Sequence, residues 1–294
     1  MKSHRGVGPD FVCIGAQKAG TQWLYDQLAW HPRVWMPPIK ELHCLDEPDK
    51  QAEKAADILH RLARNPARYN EKQRRKHRPP VEPRDIDFLV KLVDMPPVVD
   101  IERYCALFDG KGDAVAGDIT PAYSTLEPDL IARLGRRLPD LKIVFIARDP
   151  VERLWSQYSM LMRKDQTPVI VDPGAVIAFA SLPEVVRRSF PSRIVSGWRR
   201  FFPPEQVGVF FFDELRANAH GLRKKILNFL GLDDRSLGED IDSGRDSKRN
   251  QKRYDLTEEI RLALEIYFHD ELRRCADDFG GPALGWGRQQ VHSG

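Results

Sequence analysis

Short apolar runs alternate with amphipathic stretches along most of this chain, and their spacing predicts buried strands separated by covering helices. Phe11-Val12-Cys13-Ile14 stops at Gly15, and beyond Gly20 the residues Trp23, Leu24, Leu28 and Trp30 recur at helical intervals as far as His31. That order predicts strand, loop and helix. Val34-Trp35-Met36, closed by Pro37-Pro38, predicts a second short strand. A third, Val115 to Gly117, precedes a helix through Leu130, Ile131, Leu134 and Leu138, and Lys142 to Ala147 carries the strongest buried-strand signal. A helix opens at Pro150, since the fixed φ of proline suits a first turn. Val207 to Phe212 predicts a further buried strand, between a helix ending near Phe201 and another over Ala219 to Leu230. One long amphipathic helix is predicted from Thr257 to about Phe279.

Strands separated by helices imply an α/β fold with a central parallel sheet flanked by helices and ligands at the carboxyl ends of the strands. The pattern weakens between Asp46 and Asp100, where a helix near Ala52 to Arg64 leads into the basic, proline-containing run Arg74-Arg75-Lys76-His77-Arg78-Pro79-Pro80. Residues 46–100 are therefore expected to be an insertion or lid, and its basic run from Arg61 to Arg84 either a solvated insertion or a lid or docking surface for an anionic acceptor. With no internal repeat and no linker composition, 1–294 is read as a single domain, and 41% hydrophobic residues suffice for its core.

The 46 basic and 43 acidic residues leave a formal charge of only +3, so any positive character that matters is local. A nucleic-acid-binding module would be more lopsided, although it would account for the Arg74 to Arg78 cluster. Cys13, Cys44, Cys105 and Cys275 form no C-x-x-C pair, which argues against a zinc site and a secreted disulfide framework. Reduced thiols, a polar Met1 to Asp10 and the lack of a long apolar stretch give the expectation of a cytoplasmic protein with no membrane role.

The loop Gly15-Ala16-Gln17-Lys18-Ala19-Gly20-Thr21-Gln22 joins the first strand to the first helix, where open backbone N–H groups and the helix dipole favour an anion. Glycines let the backbone approach the ligand, Lys18 neutralises charge and the Thr21 hydroxyl can donate to a phosphate oxygen. Gly15 and Gly20 have the Walker A spacing, but Thr21 stands where that motif needs lysine and Gln22 where it needs the magnesium-binding hydroxyl. An ATP-hydrolysing site is disfavoured; a plain glycine turn and a phosphate loop of another kind both fit the loop alone. A second anion site is expected at Arg148, which follows the strand ending at Ala147 and offers a fork of donors to a phosphate monoester. Ser156, on the helix that follows, can add a hydroxyl.

Together these segments resemble the PAPS-dependent sulfotransferases, whose 5′-phosphosulfate loop follows the first strand and whose 3′-phosphate site is an arginine at a strand end with a serine eight residues later. The resemblance extends through Lys40-Glu41-Leu42-His43, Gly117-Asp118-Ile119-Thr120-Pro121-Ala122-Tyr123 and Ser247-Lys248-Arg249-Asn250 to Gly285-Trp286. It is nearest the branch of glycan sulfotransferases and their bacterial relatives, and implies a P-loop-like three-layer sandwich. Ile119 stands where the glycan branch carries a lysine, and Cys44-Leu45 replaces an aromatic pair.

The resemblance implies Lys18, Ala19, Gly20, Thr21, Gln22 and Trp23 as the 5′-phosphosulfate loop, Arg148 and Ser156 at the 3′-phosphate, and Lys248 and Arg249 closing over the phosphates. Glu41 is implied as catalytic base and Lys18 as stabiliser of the leaving phosphate. His43 is the second candidate base, because imidazole titrates near neutrality. PAPS (3′-phosphoadenosine 5′-phosphosulfate) would be co-substrate and 3′,5′-adenosine bisphosphate (PAP) product, with a hydroxylated small molecule or carbohydrate as acceptor and no metal required. The alternatives are a catalytically inactive nucleotide- or anion-binding relative and a P-loop kinase of a small metabolite.

Overall fold

A computed structural model describes residues 7–75, 78–165, 172–234 and 254–287. The predicted apolar runs become five parallel strands: β1 (Phe11–Gly15), β2 (Val34–Trp35), β3 (Val115–Ile119), β4 (Lys142–Ala147) and β5 (Val207–Phe211). They form one sheet in the order β2-β3-β1-β4-β5. Every residue of β1 and β3 is buried, the signature of a parallel sheet covered on both faces. β1 is central, and the chain leaves it towards β2 on one side while β4 lies on the other. The crevice at the carboxyl ends of β1 and β4 is thus a topological switch point.

Between β1 and β3 run α1 (Thr21–Leu28), α2 (Ala52–Arg64), α3 (Pro66–Arg75), α4 (Pro83–Val93) and α5 (Ile101–Ala106). α6 (Pro128–Arg137) leads to β4, and α7 (Pro150–Asp165), α8 (Pro173–Ala180), α9 (Pro183–Ser189) and α10 (Pro191–Arg199) separate β4 from β5. α11 (Phe212–Ala217), α12 (Ala219–Phe229), α13 (Glu258–Tyr267) and α14 (His269–Phe279) follow. Proline opens α3, α4 and each helix from α6 to α10, where its missing N–H costs nothing.

Residues 46–100 contribute to two different surroundings. Phe88, Leu89 and Leu92 of α4 are fully buried, and the Phe88 ring meets Trp35 edge-on at 5.7 Å and Phe108 at 6.1 Å. Trp35 also donates to the Asp85 carboxylate at 2.8 Å, tying α4 to β2. α2 buries only its Ala55, Ile58 and Leu62 stripe, and α3 buries Gln73 alone. Gly117 marks the closest approach inside the sheet, since a Cβ there would lie 2.3 Å from the Phe11 ring.

The single carboxyl-terminal helix expected over Thr257 to Phe279 is instead two, α13 and α14, parted at Phe268. Phe268 leaves helical geometry at φ −95°, ψ 8° while its ring is fully buried, edge-on to Phe190 at 5.6 Å and Tyr267 at 4.9 Å. The bend lets α13 pack on α7 and α8 while α14 packs on α10. No helix among the described residues is long and apolar enough to cross a membrane.

Candidate active site

The loop leaving β1 turns into α1 through Gly20, whose φ of 87° and ψ of 15° belong to the left-handed region where glycine carries no Cβ penalty. Space demands glycine as well: a Cβ at Gly20 would lie 2.6 Å from Leu215 Cδ2. No side chain caps α1 and no acid sits in its first turn. Its leading N–H groups therefore lack intrahelical partners, at the positive end of the helix dipole.

Beside this loop, the Ala16 N–H donates to the Ile146 carbonyl at 2.9 Å, and Arg148 Nη1 donates to the Lys18 carbonyl at 2.6 Å. The end of β4 is thereby stitched to the loop after β1. The Arg148 guanidinium lies 4.4 Å above the Phe212 ring and 3.5 Å from Glu152, while its Nε is buried without a hydrogen-bond partner among the described residues. Burial pushes its pKa down, against the pull of Glu152. One turn further, Arg153 is fully buried; burial, then Arg148 and Arg188, push it down to about 9. It donates to Gln157 at 2.9 Å and Ser189 at 2.5 Å. Lys18 places Nζ 3.6 Å from Met160 Sδ on α7.

The second half of the site is the turn after Pro38. Among the described residues only three other than glycine have positive φ: Lys18 at 72°, Glu41 at 62° and His43 at 59°. Such backbone conformations cost about 1 kcal/mol or more each and persist where surrounding contacts impose them. Here Gln51 Nε2 donates to the Glu41 carbonyl at 2.6 Å, and the buried Asp118 carboxylate sits behind the turn. Asp118 accepts from Thr120 at 2.6 Å and from Tyr104 at 3.3 Å, and the Leu42 amide also favours its ionised form. Burial nevertheless dominates and raises Asp118 from 3.8 to about 6.

The Glu41 side chain is 45% exposed and holds Lys40 Nζ at 2.5 Å; Lys40 in turn reaches the Thr21 hydroxyl at 3.4 Å. Partial burial pushes Glu41 up, but Lys40 with help from His43 and Lys54 outweighs it, so the carboxyl titrates below its ordinary value. His43 Nε2 lies 4.0 Å from Glu41, and its Nδ1 meets Asp46 at 2.9 Å. His43, Asp46 and Glu47 bring donor atoms within 4.8 Å of one another, with the imidazole engaged by Asp46.

The residues expected from sequence fall into three groups. Lys18, Ala19, Gly20, Thr21, Gln22 and the buried Trp23 form the loop and first turn, joined to Glu41 through Lys40 and to Arg148 through the Lys18 carbonyl. Ser156 is half-buried one turn beyond Glu152, on the helix face that meets Arg148. Lys248 and Arg249 lie outside the described residues. Asp46, Gln51, Glu152 and Phe212 were not anticipated. Asp46, three residues after His43, and Glu152, four after Arg148, carry a spacing signal; Gln51 and Phe212 arrive from elsewhere and carry none.

Residues 9–236 match the sequence model of the sulfotransferase family. No curated protein matches the chain. Among solved structures it is similar to a sulfotransferase from Alicyclobacillus acidocaldarius, at TM-score 0.63 and 21% identity over 95% of this chain and 99% of that one. It is also similar to the sulfotransferase domain of the Synechococcus PCC 7002 olefin synthase, at TM-score 0.53 and 15% identity over 90% and 96% of the two chains. The sulfotransferase domain from the curacin biosynthetic pathway gives TM-score 0.52 and 15% identity over 88% and 97%. At these identities the likeness establishes the common P-loop-like α/β fold.

Proposed function

The chain belongs to the sulfotransferase family, and from that premise we propose that it transfers a sulfuryl group from PAPS to the hydroxyl of a small-molecule or carbohydrate acceptor, releasing PAP, with Glu41 as general base. The observation that supports this reading is the hydrogen bond from Arg148 to the Lys18 carbonyl, which joins the two candidate anion-binding elements, the loop after β1 and the end of β4. The residues suit a doubly phosphorylated nucleotide: the first turn of α1 is uncapped, and the buried Arg148 Nε has no partner among the described residues. Unsatisfied buried donors of this kind are costly unless a ligand completes them.

PAPS supplies the activated sulfuryl group. The loop N–H groups, Lys18 and Thr21 hold the 5′ end, and Arg148 with Ser156 holds the 3′-phosphate. The acceptor proton passes to Glu41 as the acceptor oxygen bonds sulfur and the bond from sulfur to the 5′-phosphate oxygen breaks. Charge that grows on the leaving phosphate is met by Lys18 and the α1 terminus. Glu41 is ionised at neutral pH because its pKa is held low, and Lys40, bonded to both Glu41 and Thr21, fixes the base relative to the loop. His43, whose Nε2 lies 4.0 Å from Glu41 and whose Nδ1 meets Asp46 at 2.9 Å, is the second candidate base. The test is incubation with sulfur-labelled PAPS and a panel of hydroxylated compounds, read by mass spectrometry. Sulfated product from wild type but not from Glu41→Gln supports the reading; undiminished product from the variant removes Glu41 as base.

A further inference from the structure

Next to Glu41 a cleft of about 420 Å³ opens between the first turn of α1, the Pro38–Glu41 turn, and helices α2 and α3. It is large enough for a small molecule and reaches the base directly, because Glu41 and Gln22 both line it. Five of its lining side chains are basic and two are acidic, an excess as large as the formal charge of the whole chain. Both acids are already engaged, Glu41 by Lys40 at 2.5 Å and Asp57 by Arg61 at 2.7 Å. Lys54, Lys72 and Arg78 have no carboxylate within ion-pair distance among the described residues. Cations elsewhere on the same surface do find partners, as Arg75 does with Glu71 and Lys50 with Glu47. Burial and then the nearby Arg78 push the Lys54 pKa down, so the cluster is repulsive until a negative charge enters. Tyr69 accepts from Gln73 at 3.0 Å, which leaves its own proton to donate into the cleft.

We propose that the acceptor carries, apart from the hydroxyl that is sulfated, an anionic group held by Lys54 of α2, Lys72 of α3 and Arg78 just beyond α3. This rests on Glu41 marking the reacting end. A carboxylate and a phosphate monoester share the required chemistry, and the cleft volume limits the acceptor to a small molecule or the end of a larger one.

The experiment titrates PAP-saturated protein with matched pairs, 6-hydroxyhexanoate against 1,6-hexanediol and glucose 6-phosphate against glucose, in wild type and in Lys54→Ala/Lys72→Ala/Arg78→Ala. The anionic member of at least one pair should bind wild type about ten-fold tighter or more. The preference should vanish in the triple variant and shrink in high salt, while PAP affinity is unchanged. Which pair responds identifies the anion. No preference in either pair, or a preference that survives the triple substitution, overturns the inference. Failure to bind PAP at all instead defeats the broader reading of the site, so the two failures are distinguishable.

Discussion

Replacing Asp118 with asparagine tests how the strained turn is held. The carboxylate is 1% exposed, and its hydrogen-bond donors do not offset the loss of water, so burial lifts its pKa from 3.8 to about 6. A carboxyl raised in this way binds its proton more tightly folded than unfolded. Its contribution to stability is complete below pH 3.8 and is lost as pH rises through about 6, by ~3 kcal/mol in all. About 2 kcal/mol of that loss falls above pH 4.5, where unfolding is practical to follow. The amide of the variant cannot titrate, so the stability of Asp118→Asn relative to wild type should climb by about that amount between pH 4.5 and 7. Asp149, also raised to about 6 by burial, keeps its own slope in both proteins and cancels in the difference. Urea unfolding of the two proteins at half-unit pH intervals reads the effect. Parallel curves would show that burial does not raise Asp118 above its unfolded value, and the account of a desolvated carboxylate behind the Glu41–His43 turn would fail with it.

Glu41→Gln should lower kcat by about 10²- to 10⁴-fold with little change in PAP affinity, measured by initial rates and calorimetry. Because Glu41 titrates below its ordinary 4.5, the basic form persists to acidic pH, and Lys40→Met should move the acid limb of the rate profile upward as the leading favourable charge is removed. Gly20→Ala should cost about 1–3 kcal/mol in thermal unfolding, from the positive φ and the 2.6 Å approach to Leu215, and should weaken PAP binding.

The sheet was legible because parallel strands buried on both faces write themselves as unbroken apolar runs, as Phe11 to Ile14 and Lys142 to Ala147 do. The loop at Gly15 to Gln22 was legible as a strand-to-helix junction because glycines bracket it between an apolar run and an amphipathic stretch. The split at Phe268 was not, since helical periodicity runs through it and only tertiary packing of Phe268 on Phe190 bends the chain. The contacts that fix Glu41 were hidden for a related reason. Gln51 acts from ten positions away, on an element that neither spacing nor composition connects to Lys40-Glu41, and Asp118, 77 positions away, is connected to it only through the resemblance. The cationic wall was half visible: the basic run around Arg74 was plain, but that Arg75 is paired while Lys72 and Arg78 meet no carboxylate among the described residues needs the fold.

The most direct test of the account is calorimetric titration with PAP and, separately, with Mg-ATP, with the PAP arm repeated in chelator. The expected result is tight PAP binding that chelation leaves intact. Arg148→Ala should weaken it about 10- to 100-fold, whereas adenosine 5′-monophosphate, which has no 3′-phosphate, should lose much less in the variant. A preference for Mg-ATP, or PAP affinity indifferent to Arg148, would contradict the claim that one crevice grips both ends of the nucleotide.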